Sequence, residues 1–433
     1  MALAPTSRLQ VSGYRFLRRR VECALLRRDL RTVNEPLHGQ GLALLAGAVV
    51  AGLAATATAV FGTLQPQPAL GDAPIVLAQE TGALYVRVDD VWHPVPNLAS
   101  ARLVAGSDVN PQMVRQAALA HTRRGPLLGI PGAPQDLGEP LAPAEIGWTI
   151  CDSHGSAGPV TTVIVAAAAA PLLRELAADQ TVLVSSDRNA AVFLLYQGQR
   201  ALVDLNDPAV TRALRLEGRR PRLVSRTLLT AVPEVPPITV PRVADADTRR
   251  LSAVPGFPVG SVLRATGAHG DDYYVVLAGG VQRVGQVAAD LIRLSDSRGA
   301  RGIPTVAPDV IGGAPNVNFL PVHTFPERTP APPNDQDATL CVNWAAGRVS
   351  ISTGQGLPLP AGQLPIAMAQ ADNGGPALDA VYLPAGRSAY VRSTGLAGDD
   401  TRDGGRYLVA EGGVRFGVRD DEAARALGLP AVV

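Results

Sequence analysis

The chain has 433 residues, 46% of them hydrophobic, which is enough for two or three cored domains and excludes a natively unfolded polymer. Its 39 basic side chains are all arginine, with no lysine anywhere, against 38 acidic ones, for a formal charge of +1. Eight arginines fall in the first 38 residues beside Glu22, Asp29 and Glu35, leaving 31 basic and 35 acidic side chains for the rest, so a basic nucleic-acid groove running over the protein is excluded. Arginine without lysine, with abundant Ala, Gly and Pro, reads as the bias of a GC-rich genome, and an arginine run alone carries reduced information.

The first predicted element, within residues 1–38, is a basic amphipathic helix in VSGYRFLRRRVECALLRRDLR, Val11 to Arg31. At about 100° per residue, Tyr14, Leu17, Val21, Ala24 and Leu25 share one arc, which Arg28 interrupts. Arg15, Arg18, Arg19, Arg20 and Arg27 can meet anionic headgroups at about 1 kcal/mol each. Two readings stand: a topology signal alone, or one that also docks a cytoplasmic partner through Tyr14, Arg15, Leu17, Arg18, Arg19, Arg20, Val21 and Leu25.

Residues 39–64 follow as a membrane span. Leu42 to Leu64 is a run of 23 uncharged residues, which covers a hydrocarbon core of about 30 Å. Despite the small-x-small sequence Ala57-Thr58-Ala59, the apolar run is too extended for a cleaved signal. No arginine lies between Gln65 and Leu84, so the positive-inside rule puts the N-terminus in the cytoplasm and Gln65 onward outside. Gly47, Ala51 and Ala55, with Ala43 and Ala59, recur every fourth residue, either as a ridge that lets another transmembrane helix approach or as a chance product of alanine-rich sequence. The later stretch VTTVIVAAAAAPLL, Val160 to Leu173, is too short to span and suits a core strand entering a helix.

Cys23 falls on the cytoplasmic side as a reduced thiol. Cys151 and Cys341 fall outside, where an even pair usually becomes a disulfide; two buried free thiols are the alternative. Closing that loop would constrain the unfolded chain by about 5 kcal/mol on the chain-entropy model. The six histidines show no paired ligand spacing, so no metal is expected.

Outside the membrane a hairpin-plus-helix pattern appears four times, in ALYVRVDDVWHPV from Ala83, AVFLLYQGQRALV from Ala191, DYYVVLAGGVQRV from Asp272 and RYLVAEGGVRFGV from Arg406. Asp89-Asp90, Gln197-Gly198, Gly279-Gly280 and Gly412-Gly413 supply turns that tolerate positive φ. The irregular spacing argues for modules near 75–110, 185–218, 265–299 and 380–430 arranged around a central β-rich domain near 145–180 and 300–355, within an extracytoplasmic region 65–433. Breaker-rich stretches from Gly125, Val232 and Pro326 read as connectors, with VPEVPPITVP as the best internal boundary.

Catalytic signals are absent. A lysine-free chain cannot supply GxxxxGK[ST], the glycine pairs sit in hairpin turns, no GxSxG occurs, and Asp271-Asp272 and Asp399-Asp400 read as solvated loops. No cofactor is expected.

In the combination of SGYRFLRRRVECALLRRD (Ser12 to Asp29) before a single span, GWTICD around Cys151, LCVNW around Cys341, and YLPAGRSAYVRS, YLVAEGGVRFGV and ALGL near the end, the chain resembles the EccB family of the mycobacterial type VII (ESX) secretion machinery. The resemblance implies an α+β fold: a cytoplasmic helix, a single transmembrane helix and an elongated periplasmic region with four repeats about a central domain closed by a Cys151–Cys341 disulfide. It implies EccC, EccD and EccE as partners, further EccB copies in a hexameric inner-membrane complex, and a scaffold role. A periplasmic nucleotide hydrolase is the alternative, since members have been described as ATPases, and a cell-wall-binding anchor is another. Members usually continue into a proline-rich tail, whereas this sequence stops at Val433, so contacts of that tail are not carried over.

Overall fold

A computed structural model describes residues 7–27, 36–64, 70–155, 158–166, 173–187, 190–246, 252–267, 270–295, 302–331, 337–345, 347–372, 375, 377–394 and 404–430. The chain divides into two units, Met1–Gly71 and Asp72–Val433.

In the first unit, α1 (Arg8–Arg27) opens on a reciprocal cap. The Gln10 amide donates to Ser7 Oγ, and the Ser7 amide donates to Gln10 Oε1 at 3.1 Å, so two donors at the helix start are satisfied. Helix α2 (Pro36–Leu64) has 29 residues and is about 43 Å long at 1.5 Å per residue. It starts three residues before the expected span because Pro36 at the first position suits a helix start. Its stretch Gly41–Thr58 is long and apolar enough to cross a membrane and is buried nowhere by the protein itself. Thr56 and Thr58, polar within it, donate their hydroxyls back to the carbonyls of Gly52 and Ala54.

The second unit holds four related modules and a central sheet. Module one comprises β1 (Ile75–Ala78), β2 (Leu84–Val88), β3 (Val91–Val95), α3 (Leu98–Ala105), β4 (Gln112–Val114) and α4 (Gln116–Leu119). After it come β5 (Glu139–Pro140), a 3-10 turn at Pro143–Glu145, and the central strands β6 (Trp148–His154), β7 (Pro159–Val165) and β8 (Leu173–Glu175). Module two contains β9 (Val182–Ser185), β10 (Val192–Tyr196), β11 (Gln199–Val203), α5 (Pro208–Ala213), β12 (Arg222–Leu223), α6 (Arg226–Thr230) and β13 (Glu234–Ile238). Module three contains β14 (Val262–Gly267), β15 (Gly270–Leu277), β16 (Gly280–Val284), α7 (Gln286–Ser295), β17 (Thr305–Val306) and α8 (Pro308–Gly312). The chain then returns to the central sheet with β18 (Thr339–Ala345), β19 (Arg348–Gly354), β20 (Ile366–Ala367) and β21 (Ala380–Tyr382). Module four ends it with β22 (Arg387–Arg392), β23 (Arg406–Val409), β24 (Arg415–Val418) and α9 (Asp421–Leu427).

The hairpins follow from their turn residues. Asp89 and Asp90 take φ of 48° and 60°, and Gln197 and Gly198 take 46° and 76°, the paired positive values of a turn whose twist matches the strands it joins. In each module the first strand pairs antiparallel with the hairpin and parallel, on its other side, with a short strand: β1 with β4, β9 with β12, β14 with β17. Module four fills that fourth position with β5, which comes from the stretch after module one and pairs Arg387 with Glu139 and Ser388 with Pro140. In modules one to three a short helical turn follows this closing strand, and after β5 the 3-10 turn at Pro143–Glu145 takes its place.

Shared cores fix which parts touch. Ala99 of module one packs with Tyr390, Leu408 and Leu427 of module four. Leu141, next to β5, joins Val165 and Val381 of the central sheet and Ala389 of module four in one cluster. Val184, Leu195 and Leu228 of module two pack on Leu340, Val342 and Ile351 of the central sheet, and Val210 and Leu214 pack on Val287 and Leu291 of module three. Each such aliphatic side chain, fully buried, stabilises by about 1.5–3 kcal/mol relative to exposure.

Several expectations are corrected. The stretch from Val232 is no boundary: Glu234–Ile238 is β13, parallel to β11, and its prolines are tolerated because β13 is an edge strand, where a missing N–H costs no ladder bond. Thr305–Val306 pairs with β14 and so belongs to module three, while Ala380–Tyr382 pairs with β7 and belongs to the central sheet. Asp271 and Asp272 lie in β15, where Arg264 and Arg283 pair with them at 3.4 and 3.0 Å. The helix expected over the alanine run near 167–172, and Asp399-Asp400, lie outside the described residues.

Candidate functional site

No cluster of three or more His, Cys, Asp or Glu able to hold a metal occurs among the described residues. Exposed surfaces, and the contacts that rigidify them, are the candidate features. On α1 the apolar arc stands open: Tyr14 is 70% exposed, Leu17 59%, Val21 55% and Leu25 79%. Arg15, Arg18, Arg19 and Arg20 are exposed on the same helix. Arg18 pairs with Glu22 at 3.1 Å one turn on, worth only a few tenths of a kcal/mol in water, roughly 0.3–0.5. On α2, Gly47, Ala51 and Ala55 are all exposed, and a Cβ built on Gly47 would meet nothing within 4 Å.

Cys151 and Cys341 form a disulfide across 190 residues of sequence. They face each other in the antiparallel register of β6 and β18, and both are fully buried. The bond therefore cross-links two strands that already pair in the middle of the central sheet.

Beside it lies a buried polar network that the sequence did not reveal. Asp152 accepts from the Ser225 amide at 2.6 Å, from Ser225 Oγ at 2.9 Å and from Thr161 Oγ1 at 2.9 Å. Ser225 in turn caps α6, accepting from the Leu228 amide at 3.0 Å. Arg222 donates to the carbonyls of Asp337 and Ala338, both at 2.8 Å. Burial holds the Asp152 carboxyl above its ordinary pKa, opposed by the bonds from Ser225 and Thr161 and by the charge of Arg222. Burial likewise lowers the Arg222 pKa, against the pull of Asp152 and Asp337. With the Trp344 indole donating to the Ala231 carbonyl at 2.8 Å, these contacts lock module two to the central sheet. The only sequence cue was an acid directly after Cys151.

Between modules one and four, Arg102 of α3 donates to the Leu427 carbonyl at the end of α9 at 2.9 Å, satisfying an orphan helix acceptor from another module. An open cleft of 810 Å³ borders this contact, lined by Asp108, Glu139, Glu145, Arg387 and Arg425 among others. Arg387 and Glu145 pair there at 2.8 Å, and the bond from the Ala142 amide, then Arg387, lower the Glu145 pKa. Elsewhere, guanidinium groups cover the aromatic rings that lead the hairpins: Arg124 lies 5.9 Å from Tyr85, Arg200 5.1 Å from Phe193 and Arg415 4.5 Å from Tyr407.

The sequence model of one family, described as "Type VII secretion system ESX-1, transport TM domain B", matches residues 3–432. The chain belongs to the EccB family. Among curated relatives it is 36% identical to "ESX-3 secretion system ATPase EccB3" of Mycolicibacterium smegmatis, over 98% of this chain and 85% of that protein. It is 34% identical to "ESX-2 secretion system ATPase EccB2" of Mycobacterium tuberculosis, over 99% and 90%. Among solved structures, a chain of the intact ESX-5 inner membrane complex superposes with a TM-score of 0.70 at 30% identity, covering 99% of this chain and 90% of that one. The EccB3 dimer from the ESX-3 core complex gives 0.71 at 32% identity, covering 83% and 94%. The α+β architecture, with one apolar helix near the N-terminus and a large β-rich region, is that of the EccB family.

Proposed function

We propose that this chain is a scaffold subunit of a type VII inner-membrane core complex. Residues 39–64 anchor it, residues 1–38 present α1 to the cytoplasm, and residues 65–433 hold neighbouring subunits in register in the periplasm. The observation that carries this reading is the agreement, along nearly the whole chain, with an EccB chain solved inside an ESX-5 inner membrane complex. The arginine bias before α2 supports the orientation. The exposed arc of Tyr14, Leu17, Val21 and Leu25 supports docking to a cytoplasmic partner, for which core components of the EccC, EccD and EccE type are the candidates, and the exposed Gly47, Ala51 and Ala55 support helix–helix contact in the bilayer.

The relatives carry ATPase in their names, yet this chain has no lysine and so no conventional Walker A site. Purification of the tagged full chain from membranes, followed by chemical cross-linking, tests the scaffold. Cross-links to further copies of the chain and to other core components are expected; a monomer that recovers neither would refute it. Nucleotide turnover that co-purifies with the chain and vanishes on a point substitution that leaves folding intact would favour the hydrolase instead.

A further inference from the structure

Between Arg212 and Arg226 the chain places six arginines against the single acid Glu217, within an extracytoplasmic region that is otherwise acidic. Two of the six are occupied: Arg212 pairs with Glu217 at 3.4 Å, and Arg222 turns inward to two carbonyls. Among the described residues, Arg219, Arg220 and Arg226 make no side-chain hydrogen bond or ion pair, and Arg215 makes none beyond the longer-range attraction of Asp290 in α7. Arg215, Arg220 and Arg226 are exposed and Arg219 is half-buried. Several arginines of this and other modules have acid partners, as in Arg200–Glu234, Arg283–Asp272, Arg387–Glu145 and Arg406–Asp421, whereas Arg215, Arg219, Arg220 and Arg226, within twelve residues, form no ion pair.

Their placement is also specific. They flank β12, the end strand of its five-stranded sheet, on a turn stiffened by Pro221 and by Arg215 at a φ of 52°. The surface offers charge with hardly any apolar area: Leu223, 42% exposed, is the sole large hydrophobe exposed in the segment. A protein partner would require a buried aliphatic or aromatic anchor at the centre of the contact. A polyanion requires none, and the planar guanidinium fork matches phosphate oxygens two at a time.

We infer that the Arg215–Arg226 segment of module two is a docking surface for a phosphate-bearing anionic polymer. The test uses the full chain in zwitterionic nanodiscs with inorganic polyphosphate as probe, with arginine modification by phenylglyoxal read peptide by peptide. Polyphosphate is expected to protect Arg215, Arg219, Arg220 and Arg226. By analogy with counterion release from nucleic acids, four phosphate contacts give a salt slope of roughly −3, so affinity at this site should fall about 60-fold between 50 and 200 mM salt. Replacing Arg220 and Arg226, both exposed, by Gln should abolish protection of the remaining two, with an unchanged melting curve. The inference is overturned if polyphosphate leaves these four arginines unprotected, or if polyglutamate protects them equally well. It is also overturned if the double variant only aggregates while binding persists, which would mean that the charges merely guard an open sheet edge.

Discussion

Gly138 sits at the entry to the strand that closes module four, and replacing it should release that strand. Its φ is +59°, and a Cβ there would lie 2.9 Å from the Arg387 carbonyl carbon and 3.0 Å from the Gly386 oxygen, main-chain atoms that cannot swing aside. Beyond it, the Glu139 amide donates to the Gly386 carbonyl at 2.8 Å and the Leu141 amide to the Ser388 carbonyl at 2.7 Å. In Gly138→Val the left-handed backbone costs about 1–2 kcal/mol, and loss of the two bonds adds about 1 kcal/mol each. The total of about 3–4 kcal/mol corresponds to amide exchange over residues 139–146 at least two orders of magnitude faster than in the wild type. Hydrogen exchange by mass spectrometry reads this directly. Gly132→Val is the control, because Gly132 has a φ of +79° but open space around its Cβ, so it carries backbone strain without the collision. If both variants leave exchange at 139–146 alike, β5 does not depend on the close approach at Gly138 and the reasoning fails.

Three further outcomes follow from the same structure. Asp152→Ala strands the buried Ser225 amide and should cost about 2–3 kcal/mol in denaturant unfolding, whereas Asp152→Asn keeps one acceptor and should cost less. Because burial raises the folded pKa of Asp152 above the unfolded value, this carboxyl disfavours the native state at neutral pH and adds stability as pH falls through its folded pKa towards 3.8; Asn should flatten that part of the pH–stability profile, and a steeper profile would contradict the assignment. Unreduced wild-type protein should migrate ahead of reduced protein on a denaturing gel, with Cys151→Ser at the reduced position and destabilised by up to about 5 kcal/mol; equal mobility with and without reductant would count against the disulfide. Leu17→Ser with Val21→Ser should leave membrane insertion intact and abolish assembly, while intact assembly would reduce α1 to a topology signal.

Much of this was legible in the sequence because the relevant signals are local. Paired turn residues such as Asp89-Asp90 and Gln197-Gly198 mark the hairpins, and an uncharged run marks the helix that is long and apolar enough to cross a membrane. What escaped is non-local. Strand β5 is two residues long, ends in proline and lies in a glycine- and proline-rich stretch that reads as a linker; only its partner, 248 residues away, makes it a strand. Glu234–Ile238 misled for the same reason, since prolines that break a central strand are harmless at an edge. Asp152 sits in a strand whose alternation says nothing about which buried acid finds Ser225 and Thr161 across a module boundary.

Module four borrows its closing strand from the segment that follows module one, and the Arg102–Leu427 contact ties the same two modules together. The central sheet, cross-linked at Cys151 and Cys341, holds modules two and four, and module three packs in turn on module two. These contacts make a braced frame, which is what the proposed scaffold role requires.

The most direct test of that claim is native gel electrophoresis of solubilised membranes from cells with and without this chain, probing another core component. The account predicts that the large core complex disappears when the chain is absent and returns with the full-length chain. A complex of undiminished size assembled without it would contradict the scaffold role.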